Sequence, residues 1–245
     1  MNSIDVIIPT MWRSETFPES LKSYCESPHI NKIFVVDNDY VRRPKDLVKH
    51  DKLTVINYGQ NIYVNPAWNE GYYRSQADVI NLLNDDNHVE NDVFEFMANL
   101  DFFEIDIIGV HLKDGITNYH ITHHPDKKEE LIRLNVNKTQ PIGGQSFAYG
   151  VCMFVKRSSY RVIPSLYKIW YGDDYLVQRC KNIFTLKTSK IHGVVSKTIV
   201  SEDIKETVQR RIDLDTLNVY RYNHFFNGKN WDIVRNTMIN YQMRK

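Results

Sequence analysis

The sequence predicts an α/β fold in which a mostly parallel sheet is flanked by helices, and three observations carry that prediction. Short β-rich runs alternate with helix-like stretches through the first half of the chain, the pattern of strands joined by crossover helices. The opening run is continuously apolar rather than alternating, as expected of a strand covered on both faces. Two runs end in acids, at Asp37 and at Asp85-Asp86, where an open α/β sheet has its ligand crevice.

The elements can be placed in order. Ile4 to Pro9 reads as a buried strand, and Glu15 to Tyr24 as a helix whose Phe17, Leu21 and Tyr24 recur at helical spacing. Asn31 to Asp37 and Leu53 to Tyr58 read as the next strands. Pro66 to Gln76 is expected to be a helix with Pro66 in its first turn, where a missing N–H costs nothing. Ala77 to Leu83 is a further strand that runs directly into Asn84-Asp85-Asp86-Asn87. Beyond it a strand is expected at Ile105 to Leu112, a hairpin and loop from Lys113 to Lys138, and a core strand within Ser146 to Val155, followed by a turn at Pro164. From Lys205 to Lys245 eight Lys or Arg stand against four Asp or Glu, with apolar residues interspersed, which reads as two amphipathic basic helices.

Composition narrows the function classes. A length of 245 residues, with 42% hydrophobic and 25% charged side chains, suits one sizeable folded domain rather than a disordered chain. A formal charge of +1 argues against a molecule whose whole surface attracts nucleic acid or anionic membrane. Three cysteines without CxxC spacing argue against a disulfide framework and a structural zinc site, and favour a reducing compartment. No run reaches the length needed to cross a bilayer, and MNSIDVIIPT lacks a basic segment before a long apolar one. The expected location is the cytoplasm, or the host cytoplasm if the chain is viral. The oligomeric state stays open.

The cluster Asn84-Asp85-Asp86-Asn87 is the strongest chemical feature. Crowded carboxylates at a strand end repel unless neutralised, and a divalent cation bridging a diphosphate neutralises them well. An Asx-rich turn is the equally weighted alternative. Asp37 at a strand end is suited to accept two donors at once, or to terminate a turn. Asp173-Asp174 precedes an expected helix, where acids are also favoured by the macrodipole. The group His120, His123 and His124 lacks cysteines and ordered partners, and reads as loop. Gly143-Gly144 matches neither a P-loop nor a dinucleotide fingerprint. Trp170-Tyr171 is suited to stack on an acceptor ring or to pack in the core.

The order of these motifs resembles the family-two-like nucleotide-sugar glycosyltransferases of the GT-A fold. VIIPT, Asp37 in VVDND, Asn69-Glu70-Gly71, LLNDDN, GVCMFVKR, WYGDDYLVQR and His192 follow that family's sequence of elements over roughly residues 4 to 200. The resemblance implies a Rossmann-like GT-A domain over residues 1–200, with a nucleotide-binding half over 1–90 and an acceptor half over 91–200. A basic helical extension over 201–245 packs on it. It implies a UDP-sugar donor, with Thr10, Arg13, Asp37, Asn69 and Asp85 near the nucleotide and the Gly143-Gly144 loop near the donor sugar. It further implies Mn²⁺ or Mg²⁺ held by Asp86 and His192, with Asp174 as the base and Asp173 orienting the acceptor or its neighbour. The family's usual first Asp is Asn84 here, which leaves Asp86 as the principal metal carboxylate. IPSLYKIWYGDDYL resembles glycosyltransferases encoded by phages and large viruses, whose acceptors include glycans and hydroxymethylated DNA bases. The glycan is favoured, because the net charge is almost neutral. Inversion follows from the resemblance alone. A nucleotidyltransferase and an inactive sugar-nucleotide binding module are the alternatives: the first usually carries a Gly-rich, Lys- or Arg-containing loop after its first strand, and TMWRSE is not one.

Overall fold

Burial on both faces explains why the N-terminal strands read as apolar runs. The computed structural model describes residues 1–110, 130–134, 149–188, 190–193 and 209–216. Strands β1 (Ile4–Thr10), β2 (Lys32–Asp37), β3 (Leu53–Asn57) and β4 (Val79–Leu83) lie in the order β3-β2-β1-β4, each pair parallel. Side chains alternate across a strand. On one face Ile4, Val6 and Ile8 of β1 meet α1 (Phe17–Glu26) and α3 (Asn91–Asn99) through Phe17, Leu21, Phe94 and Met97. On the other face Ile7 meets α2 (Val64–Arg74) and α4 (Gly172–Arg179) through Ala67, Trp68 and Leu176.

The chain runs from β1 to β2 on one side and reaches β4 on the other, so the strand order reverses at β1. That reversal opens a crevice beyond the carboxyl ends of β1 and β4. The sheet continues with β8 (Cys152–Lys156), antiparallel to both β4 and β6 (Ile107–Val110). Next come β9 (Ile183–Lys187), parallel to β6, and β7 (Glu130–Leu134), antiparallel at the edge. Four of the seven pairings are thus parallel. A separate two-stranded sheet pairs β5 (Asn87–Val89) with β10 (Ile191–Gly193).

Element boundaries differ from the sequence reading in instructive places. Helix α2 begins at Val64, two residues early, and Pro66 still falls in its first turn. Within the stretch Ser146 to Val155 the strand starts at Cys152, because residues 149–151 form a 3₁₀ turn that lays the Tyr149 ring on Gly109. A Cβ at Gly109 would lie 2.0 Å from that ring. The strand expected at Ile105 to Leu112 is described as Ile107–Val110. Most of the Lys113–Lys138 loop lies outside the described residues, as does all of the basic C-terminal region except α5 (209–216). Among the described residues no helix is long and apolar enough to cross a membrane.

Gly71 shows how closely α2 is seated on β1. A Cβ there would lie 2.4 Å from Cγ2 of the buried Ile7. Gly71→Ala is therefore expected to destabilise the fold by about 1–3 kcal/mol, the usual cost of overpacking a filled core. Urea denaturation of the two proteins measures the difference.

Candidate active site

Acids at the two ends of the sheet differ in how their oxygens are used. At the amino end, Asp5 accepts from Asn31 Nδ2 at 2.9 Å and from Ser75 Oγ at 2.7 Å. Asp106 accepts from Ser159 Oγ and from the amides of Lys181 and Asn182, and these bonds outweigh burial and hold its carboxyl below the usual range. Such acids are structural, because every oxygen has a donor.

The carboxyl end is organised by a chain of hydrogen bonds that starts at Asp37 and ends at Asp173. Asp37 accepts from Trp12 Nε1 at 2.8 Å and Arg43 Nε at 2.7 Å. The Trp12 amide donates to Thr10 Oγ1 at 2.8 Å, and that hydroxyl donates to Asp85 Oδ2 at 2.6 Å. From Asn84 the amide reaches Val151 O at 3.1 Å, and the neighbouring Gly150 amide donates to Asp173 Oδ2 at 2.9 Å. Thr10, Asp37 and the Asn84-Asp85-Asp86 cluster are thereby joined to Asp173-Asp174, 87 or more residues further along the chain at the start of α4.

The carboxyls of Asp85, Asp173 and Asp174 are raised above the usual range. Burial, opposed by the Thr10 hydroxyl and reinforced by the Asp86 charge, pushes the Asp85 carboxyl up to about 6. Asp174 is 3% exposed and its Oδ1 is buried without a hydrogen-bond partner. Burial first, and the Asp173 charge second, push Asp174 up to about 8. Asp173 is raised as well, chiefly by burial. A buried carboxyl whose pKa is raised toward the neutral range is matched to proton abstraction from a hydroxyl.

Backbone strain is concentrated here too. Trp12 (φ 57°) follows β1, and Tyr171 (φ 60°) caps α4 immediately before Gly172-Asp173-Asp174. Left-handed bulky residues cost on the order of 1–3 kcal/mol and persist only where surrounding contacts over-determine them. A Cβ at Gly172 would fall 2.1 Å from Asn65 Oδ1, so any larger residue there would displace the Asn65 amide.

Other expected residues are engaged differently. Arg13 lines an open cavity of about 380 Å³ with Trp12, Glu15 and Arg42, beside the Asp37 network. Asn69, expected at the nucleotide, instead clamps the 160–163 segment: its Oδ1 accepts from Tyr160 Oη at 2.8 Å and from the Ile163 amide, and its Nδ2 donates to Ile163 O at 2.7 Å. His192 sits on β10 opposite His88, one residue from the Gly193–Asn87 pair that adjoins Asp86. Its Nε2 is 2.6 Å from Glu90 Oε1. Gly143 and Gly144 lie outside the described residues, as do His120, His123 and His124.

Asp86 suits a cation better. Its carboxylate accepts from Asn87 Nδ2 at 2.6 Å and adjoins the buried Asp85, so hard oxygen donors lie together. Among the described residues no group of three or more His, Cys, Asp or Glu is arranged to hold a metal. That donor set fits an ion held by one or two carboxylates and by diphosphate oxygens, as Mg²⁺ commonly is, rather than a protein cage.

Residues 5–163 match the model of the family described as Glycosyl transferase family 2. The chain belongs to this family. It is accordingly an enzyme, a glycosyltransferase using a nucleotide-sugar donor. The family match contains Thr10, Arg13, Asp37, Asn69, Asp85 and Asp86, and stops before Asp173-Asp174. The fold is also that of S. aureus TarS residues 1–349, at 13% identity and a TM-score of 0.54 over 94% of this chain and 74% of that one. TarS 1–349 in complex with UDP matches at 15% identity and 0.53, and in complex with UDP-GlcNAc at 14% and 0.51, each over 94% of this chain and 75% of that one. No protein of curated function matches.

Two residues that the sequence reading missed complete the site. Asn65 and the buried Asp213 hold the segment leading into α4 from opposite sides. Asn65 directly precedes Pro66, and Asp213 lies in a stretch otherwise read as amphipathic, so neither carries a local signal.

Proposed function

We propose that this family 2 glycosyltransferase transfers a sugar from a UDP-sugar to a hydroxyl of a glycan acceptor, with inversion and with a divalent cation. Its single carrying observation is the Asp174 carboxyl, buried, partnerless at Oδ1 and held near neutral pKa at the carboxyl end of the sheet. One such group on the acceptor side suits direct displacement, in which it takes the proton of the attacking hydroxyl while the nucleoside diphosphate departs from the opposite face. Asp173, fixed by the Gly150 amide, orients its neighbour.

On the donor side, Arg13 and the Asp37–Trp12–Thr10–Asp85 chain frame the nucleotide, and Asp86 holds Mn²⁺ or Mg²⁺. The cation, when bound, offsets charge developing on the diphosphate. UDP-GlcNAc is the first donor to test, since the fold is shared with a protein solved in complex with it. The domain division proposed is a GT-A domain over 1–200 and an extension over 201–245, of which α5 is bonded to the acceptor half.

A glycan is favoured over DNA because three of the five neighbouring cations Arg42, Arg43, Lys45, Lys49 and Lys52 are engaged internally. Arg42 pairs with Asp39 at 2.9 Å, Arg43 bonds Asp37, and Lys52 reaches Ser27 O. Three free, buried cysteines suit the reducing cytoplasm.

UDP with Mn²⁺ at 100 times its Kd is expected to stabilise the protein by about 2.7 kcal/mol, hence to raise Tm by roughly 5–10 °C. ADP and GDP should give smaller shifts. Mass spectrometry after incubation with a UDP-sugar panel, glycan acceptors and hydroxymethylated duplex DNA then tests the transfer. Hexose or pentose on the DNA base and none on a glycan would reverse the acceptor assignment.

A further inference from the structure

We propose that Asp213, on a helix of the C-terminal extension, is a positioning residue that fixes the approach to α4 and thereby aims Asp174 at the acceptor hydroxyl. The inference rests on the reading of Asp174 as the base.

Asp213 is fully buried, and its carboxylate accepts from three consecutive backbone amides. Lys168 N donates to Oδ1 at 3.1 Å, while Ile169 N and Trp170 N donate to Oδ2 at 3.0 and 2.9 Å. Gln209 Nε2, one turn earlier on α5, adds a fourth bond at 2.7 Å. Amides of three successive residues turned toward one point form an anion-binding concavity, and a carboxylate fills it without a counter-ion.

The carbonyls of the same segment face another element. The Asn65 amide of α2 donates to Lys168 O at 3.0 Å, and Asn65 Nδ2 donates to Trp170 O at 3.2 Å. Residues 168–170 are thus held through their N–H groups by α5 and through carbonyls of Lys168 and Trp170 by α2. Arg210 further covers the Trp170 ring, its guanidinium carbon 5.4 Å from the centroid.

The strained start of α4 explains the need for a clamp. Tyr171 is left-handed, Gly172 is pressed against Asn65, and Asp173-Asp174 come next. A left-handed Tyr would relax if the preceding peptide groups were free to turn, and Asp174 would move with them. A displacement of about 1 Å at a catalytic group costs on the order of 100-fold in rate.

The test uses the full chain and Asp213→Asn, with Asp213→Ala as the stronger variant. Asn keeps an oxygen for some of the amides but sets an NH₂ against another, so partial loss is expected. Turnover is read as release of UDP from UDP-GlcNAc with water as acceptor, alongside calorimetric UDP affinity and backbone hydrogen exchange. Expected for Asp213→Asn are faster exchange at Lys168, Ile169 and Trp170, kcat lowered about tenfold, and donor KM and UDP affinity within about twofold of wild type. Asp213→Ala should lower kcat about 100-fold. Unchanged kcat, or kcat and UDP affinity falling together, overturns the proposal, since either shows that no specific aiming was lost. Unchanged exchange at 168–170 overturns the clamp itself, even if Asp213→Ala does not fold. If the wild-type protein releases no UDP from any UDP-sugar, the reading of Asp174 has failed, and exchange at 168–170 still decides the clamp.

Discussion

Asp174→Asn is expected to lower sugar transfer by about 10³-fold while UDP affinity changes by no more than about twofold, within the span general-base removal produces. Asn keeps the volume of the side chain but cannot take a proton. The donor framework, from Asp37 through Thr10 to Asp85, does not touch it. Single-turnover transfer assays and calorimetry with UDP separate the two effects. A variant that transfers at the wild-type rate would require a different base.

The same substitution is expected to raise Tm by several degrees at pH 8. Folding lifts the Asp174 carboxyl from 3.8 to about 8, so the folded protein holds a proton that the unfolded chain releases. Below about pH 4 both states are protonated and the site costs nothing. As pH climbs, the unfolded state binds fewer protons than the folded one, and stability falls until pH passes about 8. Asn removes that dependence. Transfer by the wild-type enzyme rises over the same window, because only the ionised carboxylate accepts the hydroxyl proton. Activity and stability therefore move in opposite directions with pH, and melting scans from pH 5 to 9 beside rate profiles test both.

How far the sequence could be read depends on the range of the interaction concerned. Period and strand ends are local, so the continuously apolar run of β1, and the acids at the ends of β2 and β4, were legible without a structure. Asp173-Asp174 was legible as a helix-start pair, and its motif linked it to the acceptor side. Partners far apart along the chain were not legible. Nothing near Asn69 indicates that Ile163 will occupy its amide, and nothing near His192 indicates Glu90, 102 residues earlier. Asp213 reaches its three amides across 43 to 45 residues, through a segment with no motif of its own. The start of β8 at Cys152 has a similar origin, since the Tyr149 ring needs the bare face of Gly109 on another strand.

Asp86→Ala is expected to remove the metal dependence of UDP binding and to weaken binding in Mn²⁺ by roughly 100-fold or more, beyond the 10–100-fold typical of groups that only support a ligand. Among the neighbouring positions Asn84 has no carboxylate, and Asp85 has one oxygen bonded to Thr10 and is 7% exposed. Asp86, half-buried where Asp85 is buried, is the acid of the cluster assigned to a cation shared with the diphosphate. Removing its charge also relieves Asp85, whose carboxyl is raised in part by Asp86, so the apo protein should not lose stability on that account. This separates the metal role from the Asx-turn alternative. A turn residue would lower Tm on substitution and leave the response of UDP affinity to Mn²⁺ intact. Calorimetric titration of UDP with Mn²⁺ and with a chelator, on wild type and Asp86→Ala, gives four affinities. Three similar weak values and one strong one, for wild type with metal, are the expected pattern. Equal strengthening by Mn²⁺ in both proteins would move the cation away from Asp86 and return the cluster to a turn.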